Sequence, residues 1–162
     1  MLPRFDKSAY AGNGDRISPK KINSVDIVLF EGWFIGVQPI AESTFDKAPA
    51  PISTPENIQF AKSCNRRLQN YLPLWSRIDS LLVICPQDYR RSKQWRLEAE
   101  QKMIATGKTG MSDRQIEQFV DYFWQALHPE LFISPLAKNP ALVDLVIEIK
   151  SDRSIGAIYK PN

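Results

Sequence analysis

Two kinds of apolar spacing alternate along the chain. Unbroken runs, of the sort that strands buried on both faces of a parallel sheet show, occur three times. They lie at Ile27–Phe30 with Val25 just ahead of them, at Leu81–Cys85 where Pro86 stops the run, and at Leu142–Ile149 (LVDLVIEI). Between them the apolar residues recur at helical spacing. Thr54-Pro55-Glu56 places an N-cap, a proline at the first helical position and an acid in the first turn. The helix it opens carries Ile58, Ala61, Cys64, Leu68, Tyr71 and Leu72 on one face, with Pro73 ending or kinking it. A long helix is predicted from Asp88 to Thr106, closed by Gly107 as the residue after its C-cap. Ser112-Asp113-Arg114-Gln115 is a capping signature, and behind it Ile116, Phe119, Val120, Phe123, Trp124 and Leu127 form an aromatic-rich core stripe.

Pro129 and Pro135 frame what reads as an irregular stretch, and the tail SDRSIGAIYKPN as a turn with a short final strand or extension. Residues 38–55, with Pro39, Pro49, Pro51 and Pro55, read as a surface loop rather than a linker. Strands alternating with helices predict an α/β fold, a mainly parallel sheet of three to four strands flanked by helices, in a single domain over 1–162. No internal repeat or low-complexity tract interrupts it.

The first predicted strand runs into Glu31-Gly32-Trp33. In open α/β sheets ligands bind outside the carboxyl ends of the strands. A carboxylate there can hold Mg²⁺ directly or through water, and a glycine lets backbone approach a phosphate. A strand-end glutamate facing solvent fits the same position. Upstream, residues 3–16 (PRFDKSAYAGNGDR) crowd Asp6, Lys7, Ser8, Asp15 and Arg16 around Gly12-Asn13-Gly14, a sequence suited to a tight loop with positive φ. This is either a solvated loop or a substrate loop leading into the strand.

Composition narrows the classes. At 162 residues, 43% hydrophobic and 24% charged, the chain suits one globular domain. No apolar run approaches the roughly 18 residues of a membrane span. MLPRFDKSAY lacks the apolar centre of a signal peptide, which points to an intracellular protein. Cys64 and Cys85 form no metal-type cluster, and His128, the sole histidine, weighs against His-based triads and multi-His metal sites. The net charge of +3 is uneven, because residues 57–108 hold ten basic side chains against four acidic ones. That suits an anionic small molecule such as a nucleotide; a weak nucleic-acid patch is the lesser alternative, without an RNA-binding signature.

Four of those cations, Arg90, Arg91, Lys93 and Arg96, sit in the opening turns of the helix predicted over 88–106. They oppose the helix dipole, so helix stability does not account for them; a docked anion does, and a solvated basic face is the competing account. The segment Thr106-Gly107-Lys108-Thr109-Gly110 contains GKT but is no phosphate loop. The pattern needs glycine where Lys102 stands, a strand before and a helix directly after.

Taken together, DKSAYAGNGDR, DIVLFEGWFIGV and KQWRLEAEQKM…GKTGMSDRQIEQFVDYF resemble, in order and over nearly the whole chain, the D-glycerate 3-kinases of plants and cyanobacteria. These are a branch of the P-loop kinases that also include uridine kinase, phosphoribulokinase and bacterial pantothenate kinase. The resemblance implies a partial P-loop NTPase-type fold and transfer of phosphate from ATP, with Mg²⁺, to D-glycerate, yielding 3-phosphoglycerate for photorespiration. It implies Asp6 as general base, and Lys7, Asp15, Arg16 and Trp33 around the substrate. Glu31 would stand near Mg²⁺. Arg90 and Arg91 would close over the transferring phosphoryl group, and Arg96 would touch the nucleotide.

Family members are about twice as long, with their phosphate loop ahead of the segment matching residue 3. The expected partners are therefore D-glycerate and either a separate N-terminal kinase half or a second copy, with no nucleic acid and no membrane. The expected compartment is the cytoplasm, or the chloroplast stroma in a plant. A different class of function is a non-catalytic binding or regulatory domain that keeps the kinase fold.

Overall fold

The computed structural model describes all residues except 7, 8, 13, 108 and 109, and the side chains of 11 and 12. The substrate residue expected at Lys7, and the Lys108-Thr109 pair of the GKT, therefore lie outside the described residues. The chain divides into two compact units, Met1–Gly32 and Trp33–Asn162.

In the first unit the stretch read as a loop contains a β-hairpin. Strand β1 (Leu2–Asp6) pairs antiparallel with β2 (Asp15–Lys20) across a one-turn helix α1 (Ala9–Gly12). Gly14, at φ +77°, closes the turn by donating its N–H to the Ala9 carbonyl at 2.9 Å. A Cβ there would stand 2.4 Å from the exposed Phe5 ring, which would have to swing aside, and the positive φ itself favours glycine.

The predicted strand at 25–31 does not form. Residues 25–31 belong to no strand, and Val25, Ile27, Val28, Leu29 and Phe30 are all exposed, Leu29 at 93%. A continuous apolar run is buried as a strand only where other strands pair with its edges and further layers cover its faces. The sheet of this unit is a two-stranded hairpin, and the run pairs with neither strand.

The second unit matches the predicted order closely. Helix α2 (Pro55–Arg67) starts where the sequence places it: the Thr54 hydroxyl accepts the Asn57 N–H at 3.2 Å, and Pro55 opens the first turn. It passes through a 3₁₀ turn, Leu68–Tyr71, into a short α3 (Leu72–Trp75). Pro73 thus begins a helix rather than ending one, since a first-turn residue needs no N–H. Then come β3 (Leu82–Pro86), α4 (Arg91–Ala105) and α5 (Asp113–Ala126). Gly107 follows α4 at φ +84°, and the Ser112–Gln115 capping box opens α5.

The stretch framed by Pro129 and Pro135 is a helix, α6 (Pro129–Leu136), contrary to expectation. Pro129 occupies its first turn, and the cap is a side chain the sequence did not offer as one. The His128 Nδ1 accepts the Glu130 N–H at 3.2 Å. Strands β4 (Leu145–Ile149) and β5 (Ile155–Tyr159) complete a sheet of order β3-β4-β5, with β3 and β4 parallel and β5 antiparallel. The α/β class is as expected, with three strands in this sheet. Among the described residues no helix is long and apolar enough to cross a membrane.

The core lies on one face of that sheet, where Val83 and Val146 meet Phe45, Ala61, Phe132 and Leu136. The loop over 38–55 is more than surface: Phe45 and Ile52 are fully buried. The buried Asn65 amide anchors it, accepting the Ile40 N–H at 2.9 Å and donating to the Ile40 carbonyl at 2.8 Å. His128 is equally buried, its ring edge-on to Tyr89 at 5.0 Å. Because Nδ1 accepts from Glu130, Nε2 carries the proton and donates to the Ala50 carbonyl at 3.1 Å.

Burial holds the His128 pKa below its ordinary value. The unfolded chain therefore binds the extra proton first, and stability falls as pH drops below about 6.5, levelling off once the folded-state value is passed. Thermal unfolding at pH 7.5 and pH 5.5 should show this loss. His128→Ala should flatten the slope while lowering stability at pH 7.5 by about 1–3 kcal/mol, by leaving the Ala50 carbonyl and Glu130 N–H unpaired.

Candidate functional site

The parallel pair defines a carboxyl end at Pro86 and Ile149, which are partners in register. One residue beyond, Gln87 donates its N–H to the Ile149 carbonyl at 3.0 Å and its side-chain amide to Glu148 Oε2 at 2.9 Å. Asp88 then turns the chain into α4: its Oδ1 accepts the Arg90 N–H at 3.1 Å and lies 3.6 Å from that residue's guanidinium. Arg90 caps α4 and Arg91 is its first residue, and both are exposed. Arg91 donates to Gln94 Oε1 at 3.0 Å and has no carboxylate partner among the described residues. Two arginines with spare donors at the positive end of a helix, beside the carboxyl ends of parallel strands, suit an anion such as a phosphate group.

The expected row of four cations divides here. Lys93 and Arg96 turn toward α5 instead. Lys93 Nζ pairs with Asp121 at 2.9 Å and lies 5.3 Å from the Trp124 ring centre. The Arg96 guanidinium pairs with Glu100 Oε2 at 2.7 Å and lies 5.8 Å from the Phe119 ring centre. Trp33 meets the same Phe119 ring at 6.4 Å and Phe123 at 5.3 Å, both edge-on, while staying 68% exposed. The structure thus brings Trp33 and Arg96 to one aromatic side chain and leaves Arg90 and Arg91 exposed at the start of α4, just beyond the carboxyl end of β3.

Glu100 was not singled out from the sequence. It is buried, and its Oε1 accepts the Met111 N–H at 2.8 Å while Oε2 faces Arg96. Gly110 is glycine for the same reason: a Cβ there would stand 2.8 Å from both Glu100 Oε1 and Ile104 Cγ1. The pieces RLEAE and GMSD are therefore two sides of one contact joining the end of α4 to the start of α5. The i, i+4 spacing of Arg96 and Glu100 was the readable signal, although it also fits an exposed helical pair.

In the first unit, Asp6 and Asp15 are register partners at the end of the hairpin, and Asp15 Oδ1 accepts the Arg16 N–H at 2.6 Å. Asp6, Asp15 and Arg16 are thus neighbours, with Asp15 and Arg16 exposed. Glu31 is exposed and outside any strand. Among the described residues no three His, Cys, Asp or Glu side chains gather to hold a metal ion. Mg²⁺ in phosphotransferases is bound through one or two carboxylates plus water and substrate phosphates, so Glu31 can offer one donor and no closed site. For ATP the fit is likewise partial: Arg90 and Arg91 can meet phosphate oxygens, but the chain has no glycine-rich phosphate cradle.

No family model matches the chain. It is 33% identical to the chloroplastic D-glycerate 3-kinase of Arabidopsis thaliana, over 94% of this chain and 33% of that protein. It is 30% identical to a Saccharomyces cerevisiae protein named "Probable ATP-dependent kinase TDA10", over 96% of this chain and 53% of that one. Among solved structures, the D-glycerate 3-kinase of Cryptococcus neoformans superposes with a TM-score of 0.78 at 27% identity, over 98% of this chain and 59% of that chain. The chain is a homologue of the D-glycerate 3-kinases. It spans between a third and about half the length of these two curated relatives. The α/β arrangement described above is the one it shares with the solved D-glycerate 3-kinase.

The Glu100 contact predicts clear losses. Gly110→Ala should cost about 1–3 kcal/mol through the overlap with Glu100 and Ile104. Arg96→Met should cost a similar amount, by leaving a buried carboxylate without its cation. Arg91→Met, at the exposed end of the same helix, should change stability by less than about 0.5 kcal/mol. Denaturant unfolding of the three variants checks the ranking.

Proposed function

We propose that the chain is part of an ATP-dependent phosphotransferase of the D-glycerate 3-kinase type, which converts D-glycerate and ATP to 3-phosphoglycerate and ADP. The observation that carries this reading is the homology to D-glycerate 3-kinases along nearly the whole chain. The phosphate loop comes from outside these 162 residues, in an N-terminal kinase portion. Phosphoryl transfer is mostly positioning and charge neutralisation, which is work that arginines at a strand-end crevice are suited to do.

In this reading Arg90 and Arg91 bind the transferring group: Arg91 has no carboxylate partner among the described residues, and Arg90 has one only at 3.6 Å, in Asp88. Asp6 accepts the proton of the substrate hydroxyl. Lys7, Asp15 and Arg16 hold the rest of the substrate, with Arg16 paired to its carboxylate through the guanidinium fork. Glu31 serves the Mg²⁺ that accompanies ATP. Trp33 borders the substrate, and Arg96 contributes to the nucleotide side from its place on Phe119.

ADP release with D-glycerate, ATP and Mg²⁺ tests the proposal. The purified chain alone should give none, and addition of the N-terminal portion of a D-glycerate 3-kinase should restore turnover. In that mixture Glu31→Gln and Arg91→Ala should each lower turnover by about 100-fold or more. Unchanged turnover in Glu31→Gln removes Glu31 from the chemistry. A folded mixture that never turns over, yet binds D-glycerate or ATP, would replace the proposal with a non-catalytic binding domain.

A further inference from the structure

One face of α4 carries a continuous line of side-chain hydrogen bonds that the proposed chemistry does not use. Arg91, Gln94 and Glu98 stand at i, i+3 and i+7, the spacing that stacks side chains along one side of a helix. The Arg91 guanidinium donates to Gln94 Oε1 at 3.0 Å, and Gln94 Nε2 donates to Glu98 Oε1 at 3.0 Å. The other carboxylate oxygen of Glu98 accepts from the Arg153 guanidinium. The line therefore runs from the first residue of α4 to the turn between β4 and β5.

The far end is held by more than that one bond. The Arg153 guanidinium also lies 5.6 Å from the centre of the Trp95 ring, on the same helix. Its backbone sits at φ +68°, a conformation that a residue with a side chain keeps only where its surroundings fix it. The turn supplies that constraint. Arg153 donates its N–H to the Lys150 carbonyl at 2.9 Å, and Asp152 Oδ1 accepts the Ser154 N–H at 2.9 Å and the Ser154 hydroxyl at 2.6 Å. At the middle of the line the Gln94 amide can stand only one way round. Turned over, its NH₂ would face the donors of Arg91 and its oxygen would face a carboxylate. Glu98 thus sets Gln94, and Gln94 sets Arg91 through an uncharged acceptor. An amide orients the guanidinium without neutralising it, whereas a carboxylate at that place would compete with an anionic ligand.

We infer that Gln94, Glu98 and Arg153 are positioning residues for Arg91, holding its guanidinium in the pose in which the remaining N–H donors meet the oxygens of a phosphate group. The inference rests on the proposed function for the role of Arg91, and its first test requires no turnover. It also separates itself from a simple charge effect by sign. Glu98 is an anion on the same helix face, so by charge alone it opposes an anionic ligand. As the anchor of Gln94 it favours one.

The probe is inorganic pyrophosphate, titrated into the full 162-residue chain while the side-chain Nε–Hε resonance of Arg91 is followed by NMR. The wild-type chain should give a saturable shift. Glu98→Ala should weaken the apparent affinity by about threefold, the effect of losing one side-chain hydrogen bond. Gln94→Ala should weaken it by a similar factor. The double variant should bind no more weakly than Gln94→Ala alone, because the action of Glu98 passes through Gln94. Alanine suits a helix interior, and circular dichroism with the denaturant midpoint checks that each variant is folded. Unchanged or tighter binding in Glu98→Ala overturns the inference, as do additive losses in the double variant or the absence of a saturable shift in the wild-type chain. Turnover in the mixture with the N-terminal kinase portion separates this inference from the proposed function. Turnover that falls in Arg91→Ala but not in Glu98→Ala counts against the positioning role only. Pyrophosphate binding that depends on Glu98, in a mixture that never turns over, counts against the kinase function only.

Discussion

The parallel pairing of β3 with β4 is the constraint on which the second unit depends. It is a non-local contact, joining residue 82 to residue 145, and everything between must fold back to allow it. Val83 and Val146 are buried only because α2, α6 and the segment around Phe45 pack on the same face. The pairing also decides where chemistry can sit. It brings Gln87 beside Ile149 and Glu148, and so places the turn into α4 at the carboxyl end of the sheet.

The polar interior is sparse, and each member has a defined task. Asn65 holds a proline-rich segment to α2, His128 caps α6 and ties it to Ala50, and Glu100 binds the turn before α5 to Arg96. All three side chains link segments that have no regular backbone ladder between them. Asn65 and His128 are hydrogen-bonded mostly to main-chain groups of loops and helix ends, whereas Glu100 has one such bond, to the Met111 N–H, and its Oε2 has only the ion pair with Arg96. Partners also divide the basic residues of α4. Those on the side of α5 pair with Asp121 and Glu100, whereas at the helix start Arg90 has a longer pair with Asp88 at 3.6 Å and Arg91 has no carboxylate partner among the described residues.

The exposed run Val25–Phe30 and the bare face of the β3-β4-β5 sheet are two instances of one physical situation. Both carry the composition of buried strands, yet the run is exposed, and on the sheet Leu82, Ile84, Ile155 and Ile158 are exposed while Ile147 is half-buried. A run of apolar residues records the environment for which it is suited, not the one in which it stands.

Local rules carried most of the second unit. Thr54-Pro55 and Ser112-Gln115 are helix starts because a side chain satisfies orphan N–H groups within three residues, and Gly107 follows a helix because it adopts positive φ without strain. Within the apolar runs at 81–85 and 142–149 lie the strands Leu82–Pro86 and Leu145–Ile149, shorter than expected at the start of the second run, and the motif order was enough to point to the D-glycerate 3-kinases. The place of Arg90 and Arg91 at a helix start was likewise legible.

Other features needed the tertiary structure. The tie of His128 to the Ala50 carbonyl and the burial of Phe45 and Ile52 depend on contacts across tens of residues, and the crowding at Gly110 depends on how Glu100 and Ile104 pack. The division of Arg96 and Lys93 from Arg90 and Arg91 depends on which face of α4 meets α5. The fate of Val25–Phe30 depends on whether a neighbouring strand is present. Sequence alone determined what each segment could become through bonds to residues a few places away; the tertiary structure decided which of those possibilities found a partner, because burial and ladder pairing are properties of two surfaces and not of one.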